Sequence, residues 1–231
     1  MTGTMMTSTI TPIITIDGPT ASGKGTVAQL VAESLNFHYL DSGALYRLVA
    51  LSALRNNLAL DDEIAIASIA GQLPCRFVGE QIFLGEEDVS NAIRSEEISR
   101  SSSKVAVLPQ VRKALFQFQK DFAKEPGLVA DGRDMGTVVF PNATVKIFLT
   151  ASIPARAERR FKQLISKGFS ANMEDLLQDL TDRDERDKNR LAAPLKPAPG
   201  AYLLDTSELT IQQAVSEVLQ QYAAAAVKKS T

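Results

Sequence analysis

The segment Gly18-Pro19-Thr20-Ala21-Ser22-Gly23-Lys24-Gly25-Thr26 constrains this chain more than any other. It follows the apolar run PIITIDG, Pro12 to Gly18, and precedes VAQLVAESLNF, in which Val27, Leu30, Val31 and Leu35 recur at helical spacing. In a strand, glycine-rich loop and helix arranged this way, backbone N–H groups turn inward around phosphate oxygens, and the helix N-terminus adds its partial positive charge. Lys24 is placed to reach the outer phosphates as a point charge, in a loop expected to expose it. The general pattern is G-x-x-x-x-G-K-[ST]. Here Gly25 follows the lysine and Thr26 comes one residue later, so whether Thr26 supplies the usual magnesium hydroxyl stays open.

Further short apolar runs repeat the strand–helix rhythm. LVAD, Leu128 to Asp131, ends in the polar DGRD; VKIFLT, Val145 to Thr150, precedes a helical stretch from Ile153. AYLLDTS from Ala201 precedes an amphipathic segment that begins near Leu209. Alternating strands and helices predict an α/β fold of the P-loop NTPase type: a parallel five-stranded sheet flanked by helices, with a small mixed α/β insertion and a short helical lid. The insertion is read at about 61–104, a region of nine acidic and four basic residues whose centre, CRFVGEQIFLGEEDVS, alternates like short antiparallel strands. The lid is read at about 153–190, and the core at about 13–60, 105–152 and 200–231. Residues 1–12 read as a flexible lead-in, and the AAAAVKKST end is expected to fray.

Composition narrows the chemistry. One histidine, His38, and one cysteine, Cys75, leave no intrachain disulfide, no Cys/His zinc site and little scope for a Ser-His-Asp nucleophile. His38 reads as a strand-end side chain and Cys75 as a small, mostly buried thiol. A net charge of −2 argues against a protein that coats nucleic acid or an anionic membrane. No apolar run approaches the roughly 18 residues that span a bilayer. The opening MTGTMMTSTITP has neither the basic nor the apolar region of a secretory signal, so a cytoplasmic location is expected.

The G-K-G-T variant resembles the phosphate loop of nucleoside monophosphate kinases. Four more stretches sharpen the likeness: DSGALYR (Asp41 to Arg47), SSKVAVLPQVR (Ser102 to Arg112), DGRDMGTVVFP (Asp131 to Pro141) and DRDERDKNR (Asp182 to Arg190). In this order and spacing they resemble the bacterial cytidylate kinases, over about Ile13 to Tyr222. The resemblance implies phosphorylation of CMP and dCMP by ATP with Mg2+, and an enlarged nucleotide-binding insertion. It implies small-molecule partners only, with no nucleic acid and no membrane; a monomer is expected. Such an acceptor is a phosphate monoester with a second pKa near 6, largely ionised at neutral pH, so no general base is required. The difficulty is to bring two polyanions together, which calls for fixed positive charge, a metal ion and a lid that excludes water.

The resemblance also assigns roles. The phosphate loop is matched to ATP, and Lys24, Arg133 and Arg190 to catalysis; Arg159 is expected at the ATP site from its place in the chain. Ser42 lines the monophosphate site, Arg47 and Arg133 grip the acceptor phosphate, and Arg190 contacts phosphate. Asp134 meets the exocyclic amino group of cytosine, Ser103 and Arg112 match the other base-reading positions, and Arg183 and Asp187 hold the sugar. Read from the residues alone, several have plainer uses. Asp41 or Ser42 is a good N-cap, Arg47 a candidate surface ion pair, and Tyr46 a packing residue. On a helix, Arg183, Asp187 and Arg190 fall within about 60° of one another, with Asp184 and Lys188 turned away. A solvated helix with i,i+4 pairs would give the same charge run. Asp131 stands at the carboxyl end of a buried strand, where ligands of open α/β sheets bind, and could orient magnesium or its waters beside Thr26. Arg156, Arg159 and Arg160, before the lid stretch FKQLISKGF, could stack on adenine, pair with ATP phosphates or simply face solvent. Two rivals stand beside the leading reading: a small-metabolite kinase with a neutral hydroxyl acceptor, and a nucleotide-dependent switch or assembly factor.

Overall fold

A run buried at every position, such as Leu128–Gly132, cannot lie at a surface, and the chain solves this with one parallel sheet covered on both faces. The computed structural model describes residues 11–79, 81–166, 168 and 170–229. Most of the expected lead-in, up to residue 10, lies outside these, as do Lys167 and Phe169 of the expected lid stretch and the last two residues. In chain order come β1 (Ile13–Asp17), α1 (Lys24–Leu35), β2 (His38–Asp41), α2 (Ser42–Arg55) and α3 (Glu63–Gly71). Next are β3 (Cys75–Val78), β4 (Gln81–Leu84), β5 (Glu87–Asp88), α4 (Glu96–Val105) and α5 (Pro109–Lys120). Then follow β6 (Leu128–Gly132), β7 (Val145–Thr150), α6 (Ile153–Ser166), α7 (Met173–Asn189), β8 (Tyr202–Asp205) and α8 (Ile211–Lys229).

The five-stranded sheet has the order β2-β6-β1-β7-β8, every pair parallel. Because side chains alternate along a strand, β6 sends Leu128 and Ala130 to one face and Val129 to the other. Val129 joins Ile14, Ile16, Val31, Ile147 and Val218 under α1 and α8. Leu128 and Ala130 join Leu45 and Leu48 of α2 on the opposite face. That second cluster continues without a break into Ile66 of α3, Ile82 of β4, Ile98 of α4 and Val111 of α5. The three-stranded antiparallel sheet β3-β4-β5 therefore packs on the same apolar mass as α2 rather than on a core of its own.

Two local outcomes differ from expectation. The alanine-rich end is helical as far as Lys229, since alanine is the best helix former and Tyr222 and Ala225 pack on the cluster under α1. After β6 the chain makes a π turn, Met135–Val139, in a stretch for which the sequence suggested no element. Its first two N–H groups, of Met135 and Gly136, both donate to the carboxylate of Asp17 at 2.8 Å, so the end of β1 fixes the segment that follows DGRD.

Gly18 turns the chain out of β1 directly under the next strand: a Cβ there would lie 1.9 Å from the Leu149 carbonyl oxygen. That neighbour is backbone near the end of β7, held in the sheet, and cannot rotate away. Gly18→Ala should therefore lower stability without any nucleotide present, by about 1–3 kcal/mol. At about 2–4 °C per kcal/mol for a chain of this size, the loss is readable in a thermal melt. An unchanged melting temperature would mean that β7 shifts freely.

Candidate active site

The phosphate loop is shaped by its own polar groups. Ala21 and Gly23 take left-handed backbone conformations, with φ of 57° and 91°. The Ser22 hydroxyl donates to the Pro19 carbonyl at 3.0 Å, and the Lys24 ammonium donates to the same oxygen at 3.4 Å. Lys24 is the first residue of α1 and its side chain is only 12% exposed, which corrects the expectation of an exposed lysine: the loop wraps around it. Its Nζ lies 3.9 Å from Oδ1 of Asp131 at the end of β6. Gly25, the departure from the general pattern, acquires a reason. A Cβ there would lie 3.2 Å from Asp131 Oδ2 and 3.7 Å from the Tyr39 hydroxyl, so glycine lets that carboxylate come close.

Burial lowers the Lys24 pKa to about 8, with help from the Arg133 charge and against the pull of Asp131. Burial likewise raises Asp131 to about 6 against the attraction of Lys24. Asp17, which sequence reasoning passed over, is raised to about 7 by burial, although its two backbone donors favour the ionised form. Its position, last in a buried strand and next to the loop, was the signal available in the sequence.

Across from the loop, Asp41 does both jobs left open for the start of α2. It caps the helix by accepting from the Ala44 N–H at 2.9 Å, and it holds Arg47 Nη2 at 2.9 Å. The buried hydroxyl of Ser42 sits where a Cβ on Gly132 would approach to 2.7 Å. Arg133 Nε donates to Asp187 at 2.9 Å, joining the DGRD turn to α7. Asp134 is paired with Arg112 and lies 3.8 Å from Arg190. Arg112 also stands 5.8 Å from the ring centre of Tyr46, so that tyrosine borders the site as well as packing in the core. Ser103 donates to the Ser99 carbonyl at 3.3 Å, and Arg183 donates to the Ser99 hydroxyl at 2.9 Å.

These groups face one cleft of about 790 Å³. The candidate site residues named from the sequence line it, except Arg156 and the loop residues Gly18, Pro19 and Ser22. Thr26 is exposed to the cleft. The cleft is rich in cations held at a disadvantage. Burial and the Arg133 charge lower Arg183 to about 10, and burial with the nearby Arg112 charge also lowers Arg190 despite Asp134. Burial alone would raise the Asp187 carboxyl, but Arg133, Arg183 and Arg190 hold it below the ordinary carboxylate range. Among the described residues, Arg183 Nε, one terminal nitrogen of Arg190 and Asp131 Oδ1 are buried with no hydrogen-bond partner. Buried donors of that kind suit anionic ligand oxygens.

The three arginines of α6 part company. Arg156 is 2% exposed and wholly committed to protein partners, which corrects its candidacy for a nucleotide contact. Asp184 does turn from the cleft, as the helical geometry predicts, yet it is buried against Arg156 instead of solvated. Arg159 donates to the Ser22 carbonyl at 3.0 Å and to Thr206, beside the phosphate loop. Arg160 pairs with Glu96 of α4. His38 is exposed, with Nε2 2.9 Å from the Glu125 carbonyl oxygen, and Cys75 is a half-buried free thiol pushed up to about 11 by burial.

The family model described as cytidylate kinase matches residues 14–224. A cytidylate kinase from Paraburkholderia phymatum is 61% identical over 214 residues, covering 93% of this chain and 94% of that protein. One from Cupriavidus pinatubonensis is 58% identical over 216 residues, covering 94% of this chain and 98% of that protein. Among solved structures, an uncharacterized protein from Eubacterium ventriosum is similar in fold, with a TM-score of 0.52 and 11% identity over 92% of this chain and 98% of that one.

The depressed Lys24 pKa has a sign that can be measured. The ammonium is charged below about pH 8 and neutral above it, so affinity for inorganic tripolyphosphate should fall between pH 7 and 9. Titration calorimetry across that range should show the fall in the wild type. Lys24→Arg, charged throughout, should show a flatter profile; identical profiles would exclude Lys24 as the titrating cation.

Proposed function

The chain belongs to the cytidylate kinase family, and from that membership we propose that it transfers the γ-phosphoryl group of ATP to CMP, giving CDP and ADP. The observation that carries the mechanism is that the phosphate loop and the Arg133–Asp187 and Arg112–Asp134 pairs face the same cleft. The loop N–H groups and Lys24 cradle the triphosphate. Arg47, Arg133 and Arg190 hold the acceptor phosphate in line with it, and Lys24, Arg133 and Arg190 stabilise the charge that spreads over the transferring group. The acceptor oxygen is already ionised, so the site needs no proton carrier.

Base choice rests on Asp134. A carboxylate accepts a hydrogen bond from the amino group of cytosine but repels the carbonyl that uracil has there; Arg112 and Ser103 can donate to the remaining base edge. Arg183 and Asp187 face the sugar, and dCMP is a second acceptor. Magnesium fits Asp131 and Thr26: the carboxylate has a buried oxygen free of hydrogen bonds, and the threonine faces the cleft. An ion held at these two residues would take its remaining ligands from phosphate and water. When bound, it neutralises phosphate charge.

In this reading the region 61–104 closes over the monophosphate and 153–190 is a lid over ATP, bringing Arg159 to the nucleotide. The enzyme works as a cytoplasmic monomer. Neither a small-metabolite kinase nor a switch is favoured by the family match.

A coupled assay across the four common monophosphates, with ATP and magnesium, should show CMP and dCMP turned over at least about tenfold faster than UMP or AMP, a gap that a base-edge hydrogen bond can supply. A preference for UMP or AMP would overturn the role of Asp134. No transfer to any monophosphate, together with tight nucleotide-dependent partner binding, would replace the kinase with a switch. Lys24→Met, which keeps side-chain volume, should lower kcat by about 10²–10³. Its melting temperature should stay within a few degrees of the wild type; parallel losses of both would mark Lys24 as structural.

A further inference from the structure

Arg156 is among the largest fully buried side chains of the protein. Its Nε donates to the Ala151 carbonyl at 2.9 Å, and Nη1 donates both to the Thr20 carbonyl at 3.1 Å and to Asp184 Oδ1 at 3.0 Å. Nη2 donates to Asp184 Oδ2 at 2.6 Å. One guanidinium thus touches the end of β7, the phosphate loop and the middle of α7. Apart from this pair, α6 buries only Ala157 and α7 only Leu180. Stability alone does not call for such a device, because a buried ion pair exchanged for apolar side chains of similar volume is often no less stable. A two-pronged arginine–carboxylate contact does something an apolar contact cannot: it fixes distance and rotation together.

What it fixes is the helix that faces the acceptor. Asp184 follows Arg183 and lies one turn before Asp187, which accepts from Arg133 at 2.9 Å. We infer that Arg156 and Asp184 are a positioning pair that sets α7 against the phosphate loop, so that each nucleotide favours binding of the other. Neither residue touches a nucleotide. Phosphate in the loop orders the Thr20 carbonyl; through Arg156 and Asp184 this holds one turn of α7, and with it Asp187 and Arg133, in the arrangement the monophosphate requires. The same coupling acts in reverse, since linkage between two binding sites is reciprocal. The inference rests on the proposed assignment of the two walls of the cleft to ATP and CMP.

The test compares the wild type with Arg156→Met/Asp184→Leu, which replaces the ion pair by apolar side chains and avoids the uncompensated buried charge of Asp184→Asn. Melting temperature, kcat, KM for each nucleotide, and CMP affinity with and without a non-hydrolysable ATP analogue are measured. In the wild type the analogue should tighten CMP binding by about tenfold, within the usual range of coupling between sites. The double variant should melt within a few degrees of the wild type and bind the analogue normally. Its kcat should fall at least about tenfold, as a helix misplaced by about 1 Å can cost 10²-fold, and the tightening of CMP should vanish. Unchanged kcat and coupling in the double variant, or no tightening in the wild type, would overturn the inference. A double variant that fails to fold would overturn it too, by showing that the pair serves stability. Calorimetric coupling is read without turnover, so a wild type that binds both nucleotides cooperatively but does not phosphorylate CMP defeats the proposed reaction and leaves the positioning pair standing.

Discussion

Three carboxylates end three adjacent strands. Asp41 on β2 stands opposite Asp131 on β6, and Asp17 on β1 is one register step away, opposite Gly132. Strands buried on both faces can place polar residues only at their ends, so these charges emerge together where ligands of parallel sheets bind. Like charges this close are unfavourable, and the molecule answers each differently. Asp41 caps α2 and takes Arg47; Asp131 faces Lys24; Asp17 takes two backbone N–H groups from the π turn. The cations of the cleft are thereby positioned by the anions of the sheet edge. Burial is the main cost and raises the pKa of both Asp17 and Asp131; the neighbouring carboxylates add a smaller push in the same direction.

The cost has a chemical use. Lys24, Arg183 and Arg190 all have their charged forms disfavoured by burial, and Lys24 and Arg183 are pressed further by Arg133. Phosphate oxygens entering such a site relieve that repulsion, and the relief is greatest where negative charge is most concentrated. Fixed dipoles and charges arranged in this way need no reorganisation when charge moves between donor and acceptor. The single histidine is exposed at the far end of β2, hydrogen-bonded to a loop carbonyl, and takes no part. A site that handles charge rather than protons can do without it.

The parts of this arrangement that were legible in the sequence share one property: they are local. Strand, loop and helix around Lys24 follow from neighbouring residues, as does the placement of DGRD after a buried strand. The shared face of Arg183, Asp187 and Arg190 follows from helical geometry alone. What was not legible is what those faces meet. The same geometry turns Asp184 away from the cleft but does not say that α6 lies there, so a charge that looked solvated is in fact buried. Lys24 looked exposed because a loop is usually open, and the carboxylate it is buried beside, Asp131, lies more than a hundred positions away. Asp17 looked like the end of a strand, and its partners belong to a π turn that periodicity does not announce.

Charge distribution carries the same lesson one level up. A net charge of −2 describes neither end of the molecule: six of the thirteen arginines lie in residues 156–190, while residues 61–104 hold nine acidic side chains. These two regions meet across the cleft, through Arg160 with Glu96 and through Arg183 with Ser99. The acidic insertion therefore does more than balance the total. It gives Arg160 of α6 a carboxylate and Arg183 of α7 a hydroxyl. The Glu96 partner sits at the first turn of α4, where a carboxylate is already favoured by the helix dipole and is weakly committed to any one cation. That pair is partly exposed, whereas Arg156 and Asp184 are buried and two-pronged. Arg156, whose guanidinium is spent on Ala151, Thr20 and Asp184, thus stands apart from Arg112, Arg133, Arg183 and Arg190, which line the cleft.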